Sequence, residues 1–372
     1  MHPVGGILHV TDVAQRLAGV RGRMADAGVG AFIARGTANV RYLTGFVGVW
    51  DDEPSAIVVV TATDSWVVTD SRFEEAAAIA AVGGPHRVMA PAAEQWASAL
   101  ADLHGAGVAV LGVEDSVPHR LYERVAQDFV GEIVAADKWV ERLRAAKGAD
   151  ELSRIEAAQQ LTDAAFDHIL SVLRAGVTEA EIALELEVFM RRNGSEGVAF
   201  APIVASGPNS ALPHAVVTRR VLQDGDFVVL DFGARVGGYC ADMTRTVVVG
   251  KATPRHREIY DAVLAANVAG TTAVHGGVRG REVDATARAV LEAAGLGEYF
   301  GHGLGHGVGL EVHEAPGVGP RSEAELPANA VVTIEPGVYV PGFGGARIED
   351  LVVVEEAGAR VLTRSAKDLI EL

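Results

Sequence analysis

The apolar positions in the first third of the chain follow two alternating periods. Over 12–27 they fall at Val13, Leu17, Val20 and Met24, the four-three-four spacing of one helical face, with Thr11 placed as cap and Gly28 as stop. The run Ala31-Phe32-Ile33-Ala34 predicts a strand. Further strands are predicted over 56–61, 66–69 and 108–113, between helices near 72–81, 93–103 and 119–128. Ser71-Arg72-Phe73-Glu74 has the form of a capping box. This alternation predicts a self-sufficient α/β domain over 1–136.

A polar, helix-prone segment at 137–149 is read as a linker, and 150–372 as the second domain. Helices are expected over 150–173 and 179–192, separated by Gly176, the second opening on the capping box Thr178-Glu179-Ala180-Glu181. Two more are expected over 254–275, with Thr253 as cap and Pro254 in the first turn, and over 281–294, stopped by Gly295. Valine-rich, mostly antiparallel strands complete an α+β fold. A helix pair followed by a hairpin occurs twice, which suggests an internal pseudo-duplication.

The first hairpin carries acids where its flanks are apolar. Phe227–Leu230 leads into Asp231, the chain turns through glycines, and it returns through Asp242 towards Val247–Val249. Asp231 and Asp242 are equidistant from a turn centred on Val236-Gly237, which makes them cross-strand neighbours. Directly opposed Cβ atoms lie about 4.5–5.5 Å apart, and like charges there repel. A divalent cation supplies the missing counter-charge. The second hairpin repeats the design: Glu335 and Glu349 are each seven residues from Gly342. One such turn could be solvated and its acids incidental, but two of one design argue against that.

Between the hairpins runs Gly301-His302-Gly303-Leu304-Gly305-His306-Gly307-Val308-Gly309-Leu310-Glu311-Val312-His313-Glu314. Five glycines in nine residues oppose a helix, so an extended segment is expected. Its glycines would line one face, where another backbone can approach closely, and His302, Leu304, His306, Val308 and Leu310 the other. The spacing is not that of a dinucleotide loop. Asp231, Asp242, His306, Glu335 and Glu349 form an oxygen-rich set without thiolate that suits Mn²⁺, Co²⁺, Fe²⁺ or Zn²⁺. Four carboxylates exceed what one divalent ion needs, so two divalent metal ions per subunit are expected, a centre that activates water against a carbonyl.

Composition narrows the class. A formal net charge of −17 with no basic cluster excludes nucleic acid as a partner. The single cysteine, Cys240, excludes a disulfide framework and multi-cysteine zinc sites, and suits a reducing compartment. Met1-His2-Pro3-Val4-Gly5-Gly6 has no signal-peptide pattern, and the longest stretch without a formal charge, 197–218, is interrupted by Pro202, Pro208 and Pro213, so no membrane span is expected. The expectation is a cytoplasmic protein. His86, His104 and His119 stand alone and are read as structural.

The motifs Asp-Phe-Gly at 231–233, Gly-Tyr-x-Ala-Asp-x-Thr-Arg-Thr at 238–246, His-Gly-x-Gly-His-x-x-Gly-x-x-x-His-Glu at 302–314, Glu-Pro-Gly at 335–337 and Arg-Ile-Glu-Asp at 347–350 resemble, in order, those of the pita-bread metallopeptidases. Within them the likeness is to the Xaa-Pro peptidases, aminopeptidase P and prolidase, and Asn39–Phe46 is similar to their N-terminal-domain signature. The resemblance implies a pita-bread catalytic domain behind a smaller ribonuclease-H-like domain, with metal held by the five residues above and Mn²⁺ the first choice. It further implies that Glu335 relays a proton, His313 steadies the scissile carbonyl, His214 sits near the leaving nitrogen, and His302 and Arg347 orient substrate and carboxylates. The implied substrates are peptides with proline in second position. A homodimer or homotetramer is implied, with the insert Val49-Trp50-Asp51-Asp52 as the loop that reaches a neighbour.

Strict dipeptidases of the family carry an arginine shortly after His-Glu-x-Pro. This chain reads His313-Glu314-Ala315-Pro316-Gly317, with Arg321 further on. That departure leans the expectation towards an aminopeptidase, with a strict Xaa-Pro dipeptidase next, then a methionine aminopeptidase. A non-catalytic binding module would have lost ligands, and none is lost.

Overall fold

A computed structural model describes residues 10–46, 48–89 and 92–372 of the chain. Met1–Gly6, where the sequence has no signal-peptide pattern, lie outside the described residues. Two compact units divide at Arg144/Ala145.

The first unit comprises α1 (Val10–Asp26), β1 (Ala31–Ala34), α2 (Thr37–Thr44), β2 (Ala56–Thr61), β3 (Ser65–Thr69), α3 (Glu74–Ala80), β4 (Arg87–Met89), α4 (Ala92–Gly105), β5 (Val110–Glu114), α5 (His119–Asp128), β6 (Glu132–Ala136) and α6 (Trp139–Arg144). Its six strands form one mixed sheet in the order β4-β3-β2-β1-β5-β6, with Ile33, Val59, Leu103, Leu111 and Val125 in the core. Thr11 falls inside α1 and is not its cap. Nor is Ser71 a cap: α3 starts at Glu74 with Phe73 at its N-cap, because the Asp70 carboxylate takes the Arg72 N–H and guanidinium and closes a local turn first. Short or edge elements escape the periodicity: β4 has three residues, β6 is largely exposed, and α2 overlaps the Asn39–Phe46 signature, stopped by Gly45 at φ 67°.

The second unit comprises α7 (Ala149–Leu170), α8 (Glu179–Arg192), β7 (Gly197–Val198), β8 (Ile203–Ser206), β9 (Phe227–Phe232), β10 (Ala234–Val236), β11 (Tyr239–Cys240), β12 (Met243–Val248), α9 (Pro254–Ala273), α10 (Gly280–Ala293), β13 (Gly305–Gly307), β14 (Glu314–Val318), β15 (Val331–Ile334), β16 (Gly337–Val340), β17 (Gly344–Arg347), β18 (Asp350–Glu355), β19 (Gly358–Val361) and β20 (Ile370–Glu371). The α+β expectation holds. The helix pair α7/α8 buries Phe166, Ile169, Leu186 and Met190 against the sheet β20-β12-β9-β8. The pair α9/α10 buries Ile259, Val263, Ala287 and Leu291 against the sheet β14-β13-β15-β18-β19. Thr178/Glu181 and Thr253 cap α8 and α9 as expected. Among the described residues no helix is long and apolar enough to cross a membrane.

Two further expectations need correction. The first hairpin turns on Gly237-Gly238, both at positive φ (57° and 81°), one residue later than expected, because a two-residue turn of this hand requires left-handed residues and β-branched Val236 is unsuited to it. Asp231 therefore faces Thr244, and Asp242 lies diagonally from it on the same face. The histidine segment is not one strand: it is in strand only at Gly305–Gly307 and at its last residue, Glu314, which opens β14. The glycines explain the break. A Cβ on Gly305 would lie 2.0 Å from the Thr333 carbonyl oxygen, and one on Gly307 2.5 Å from that of Ala315, so neighbouring backbones close in on both sides only here.

Candidate metal centre

The second hairpin brings its acids together as the spacing requires. Ile334 pairs with Asp350 and Gly337 with Arg347, so Glu335 and Glu349 are register partners where the ladder opens between β15/β18 and β16/β17. The first hairpin is joined to it by backbone and side chain. The Glu349 N–H donates to the Thr244 carbonyl (3.1 Å), and Thr244 Oγ1 donates to Glu349 Oε2 (2.6 Å). A cavity of about 270 Å³ opens over the junction. Asp231, Asp242, His306, Glu335 and Glu349 all line it, as do His214, His302, His313 and Arg347.

Donor atoms of Asp242, His306 and Glu349 lie within 4.8 Å of one another. His306 Nδ1 is 3.1 Å from the Gly307 carbonyl, which can only accept, so Nδ1 holds the proton and Nε2 faces the acids. Nε2 lies 3.2 Å from Glu335 Oε1 and 3.6 Å from Asp242 Oδ2. Asp231 stands outside that trio, its Oδ2 taken by Arg347 Nη2 at 2.5 Å. Buried oxygens without any hydrogen-bond partner remain on both aspartates, Asp231 Oδ1 and Asp242 Oδ1. Orphaned carboxylate oxygens beside one imidazole and two further carboxylates fit a divalent cation, which satisfies lone pairs that the protein leaves open.

Arg347 ties the two hairpins together. Nε donates to Thr244 Oγ1, Nη2 to Asp231, and Nη1 to the Tyr339 hydroxyl (2.8 Å) and the Pro213 carbonyl (3.1 Å). The Tyr339 hydroxyl is 3.0 Å from His302 Nε2, while His302 Nδ1 bonds the Gly303 carbonyl. The proton order is therefore Arg347 to Tyr339 to neutral His302. His313 packs edge-on against His306, ring centroids 4.2 Å apart. His214 reaches the cavity from a loop whose two ends are gripped by Glu179: one oxygen accepts from Ser206 and the other from Thr218.

The sequence reading missed Thr244, Thr333, Tyr339 and Glu179. Thr244 follows Asp242 by two residues on the same strand face, and Tyr339 follows Gly337 in the same way, so period-two reading from the acids had the signal. Thr333 Oγ1 accepts the His306 N–H and donates to Glu335. Glu179 looked like part of a cap and carried no signal of its role.

Burial is the largest influence on the acids. It pushes Asp242 well above the usual carboxylate range, with repulsion from Glu349, Asp231 and Glu335 adding to it. It raises Glu349 in the same way with Glu335 and Asp231, and it raises Asp231 against the pull of Arg347. Glu335 departs downwards: burial would raise it, but the hydrogen bond and charge of His306 hold it at about 2. His306 is lifted to about 9, burial opposing and Glu335 prevailing. Burial lowers both His302 and His313.

These shifts predict how metal-free protein responds to pH. His306 titrates at about 9 when folded and at 6.5 otherwise, so its contribution is complete below 6.5 and disappears as pH rises through 9. The raised acids act in the same direction, because the folded state keeps protons that the unfolded chain has released. Glu335 opposes them only below its ordinary range. Melting of chelator-treated protein from about pH 6 to about pH 10 should therefore show a falling Tm, and saturating Mn²⁺ should remove the fall by replacing those protons. A flat series without metal would contradict this charge distribution.

Comparison with known proteins agrees with the geometry. Residues 153–356 match Metallopeptidase family M24, and residues 16–146 match the Creatinase/Prolidase N-terminal domain. The Xaa-Pro dipeptidase from Bacillus anthracis is similar with a TM-score of 0.91 at 39% identity, over 97% of this chain and 100% of that one. X-Pro aminopeptidase from Thermotoga maritima is similar with a TM-score of 0.85 at 34% identity, over 94% and 100%. The Xaa-Pro dipeptidase of Pyrococcus horikoshii is 39% identical over 265 residues, 71% of this chain and 76% of that protein. With both matches in tandem and the paired acid hairpins beneath one cavity, this chain belongs to metallopeptidase family M24, a pita-bread catalytic domain behind a creatinase/prolidase N-terminal domain.

Proposed function

We propose that the protein is a dinuclear, metal-dependent Xaa-Pro dipeptidase, with Mn²⁺ as the first candidate cation. The observation that carries this reading is the convergence of Asp231, Asp242, His306, Glu335 and Glu349 on one cavity that also receives His214, His302, His313 and Arg347. Asp231, Asp242, His306, Glu335 and Glu349 would hold the ions, which when bound polarise the scissile carbonyl and acidify water.

The chain's own groups do the rest. Glu335 takes a proton from the attacking water and passes it to the proline nitrogen as the C–N bond breaks, so water is added across the peptide bond. A ring N–H of His313 donates to the carbonyl oxygen as it gains negative charge, and His214 stands near the leaving nitrogen. The Arg347–Tyr339–His302 line keeps Asp231 and His302 in place. Phe200, Ile203, Pro213 and Val312 supply apolar wall for a pyrrolidine ring and exclude water.

Preference for dipeptides reverses the aminopeptidase expectation. It draws on the Bacillus anthracis and Pyrococcus horikoshii relatives, both Xaa-Pro dipeptidases, and on Arg321. Arg321 lines an adjoining cleft of about 540 Å³ that shares His302, Gly303 and Gly305 with the catalytic cavity, where a guanidinium can meet a dipeptide's carboxylate. A homodimer in a cytoplasmic setting is part of the same reading.

The test is product analysis on Ala-Pro, Ala-Pro-Ala and Met-Ala-Ser, with Mn²⁺ and with chelator. Fastest release of proline from Ala-Pro, abolished by chelation, is expected. Preference for Ala-Pro-Ala would restore the aminopeptidase reading; preference for Met-Ala-Ser, or turnover unaffected by chelator, would reject both.

A further inference from the structure

The ladder of the second hairpin opens at the two residues that carry its acids. Pro336 has no N–H to donate across the gap, and the N–H groups of the register partners Glu335 and Glu349 go instead to the Leu304 and Thr244 carbonyls. Directly before each acid is an isoleucine carbonyl, and one side chain holds both. Asn267 Nδ2, on α9, donates to the Ile334 oxygen at 2.9 Å and to the Ile348 oxygen at 3.2 Å. Asn267 is fully buried.

The amide is itself anchored. Its Oδ1 accepts from Lys367 Nζ (3.0 Å), which also donates to Asp350 Oδ2 (2.6 Å). Asp350 Oδ1 meets Arg245 Nη2 (2.9 Å), and Arg245 Nη1 donates to the Glu349 carbonyl (2.6 Å) and the Thr244 carbonyl (3.0 Å). Asn267, Asp350 and Arg245 are all essentially inaccessible to solvent. Both hydrogens of one planar NH₂ group are thus committed to the peptide planes that precede the two glutamates, and its oxygen is fixed from behind. Such an amide cannot follow one strand without pulling the other.

We propose that Asn267 is a positioning residue that sets the separation of the Glu335 and Glu349 carboxylates, and through it the affinity for the more weakly held of two cations. Asn267 touches neither substrate nor metal. The inference rests on the dinuclear reading above. Hydrogen-bonded groups behind metal ligands typically change affinity by about 10–100-fold when removed, and that range is expected here.

The experiment is calorimetric titration of Mn²⁺ into chelator-stripped full-length protein, followed by the magnetic-resonance signal of the loaded protein. Wild type is expected to take up two ions and give the spectrum of an exchange-coupled Mn²⁺ pair. Asn267→Leu should hold one ion at unchanged affinity, weaken the other by about 10–100-fold, and lose the coupled spectrum at limiting Mn²⁺. If the leucine variant does not fold, Asn267→Asp carries the same prediction, because it keeps the shape and the Lys367 contact but offers no N–H to the carbonyls. Lys367→Met removes the anchor but leaves both donors in place, and should weaken the second ion less than Asn267→Leu does. Two ions of wild-type affinity in a folded Asn267 variant would overturn the inference alone, as would equal loss in Lys367→Met. A wild type that binds a single ion would overturn the dinuclear reading, and the inference with it.

Discussion

Asp242→Asn should lower kcat/KM on Ala-Pro by roughly a thousandfold or more while making the metal-free protein more stable. The activity loss follows if Asp242 is a ligand: a metal contributes several kcal/mol to the transition state, and each 1.36 kcal/mol is tenfold in rate. The gain in stability follows from the charges. Asp242 is fully buried with an orphaned oxygen, and burial with Glu349, Asp231 and Glu335 already disfavours its ionised form. A neutral amide of the same shape removes that repulsion and keeps the packing. Thermal melts with and without Mn²⁺ separate the two effects: the variant should melt above wild type after chelation and below it with metal. A variant that is less stable than wild type in both states would mean that Asp242 is a structural acid.

Arg347→Met should do the opposite to the metal-free fold. Arg347 is 3% exposed and serves Asp231, Thr244, Tyr339 and Pro213 at once. Removing one partner of a buried ion pair costs about 3–5 kcal/mol because the remaining charge has nothing to face. For a unit of this size that is a fall in Tm of roughly 6–20 °C. Mn²⁺ should recover part of it by compensating Asp231. Arg347→Lys should not restore activity, since a point ammonium cannot reach four partners that a planar fork reaches. Wild-type turnover in the lysine variant would show that charge alone matters at this position.

The contrast between these variants bears on what the sequence could reveal. Ligand-type residues were legible because acids among valines demand an explanation, and Glu335 and Glu349 pair as their distance from Gly342 requires. The first hairpin was misread by one residue at its turn, yet Asp231 and Asp242 remain on one face. Moving a turn centre by one residue shifts the pairing by two, and side chains alternate with period two. The error hid Thr244, the residue that actually faces Asp231. The histidine segment was over-extended because glycine alternation resembles a strand, whereas the strand is confined to where Thr333 and Ala315 crowd in. Asn267 and Glu179 act on backbone groups distant in sequence, and no local pattern announces that. Peptide length is not legible in one motif, since a cleft can draw its cation from another turn of the chain, as Arg321 does here.

Asp231, Asp242, His306, Glu335 and Glu349, which line one cavity, come from both helix-and-hairpin halves of the second unit, and each half alone owns an incomplete set. A chain emerging during synthesis exposes Asp231 and Asp242 well before Glu335 and Glu349 exist. Under the proposed reading such an intermediate has no hydrolytic power. Latency is thus inherent in the architecture, and the nascent polypeptide cannot trim its neighbours until its own folding is done.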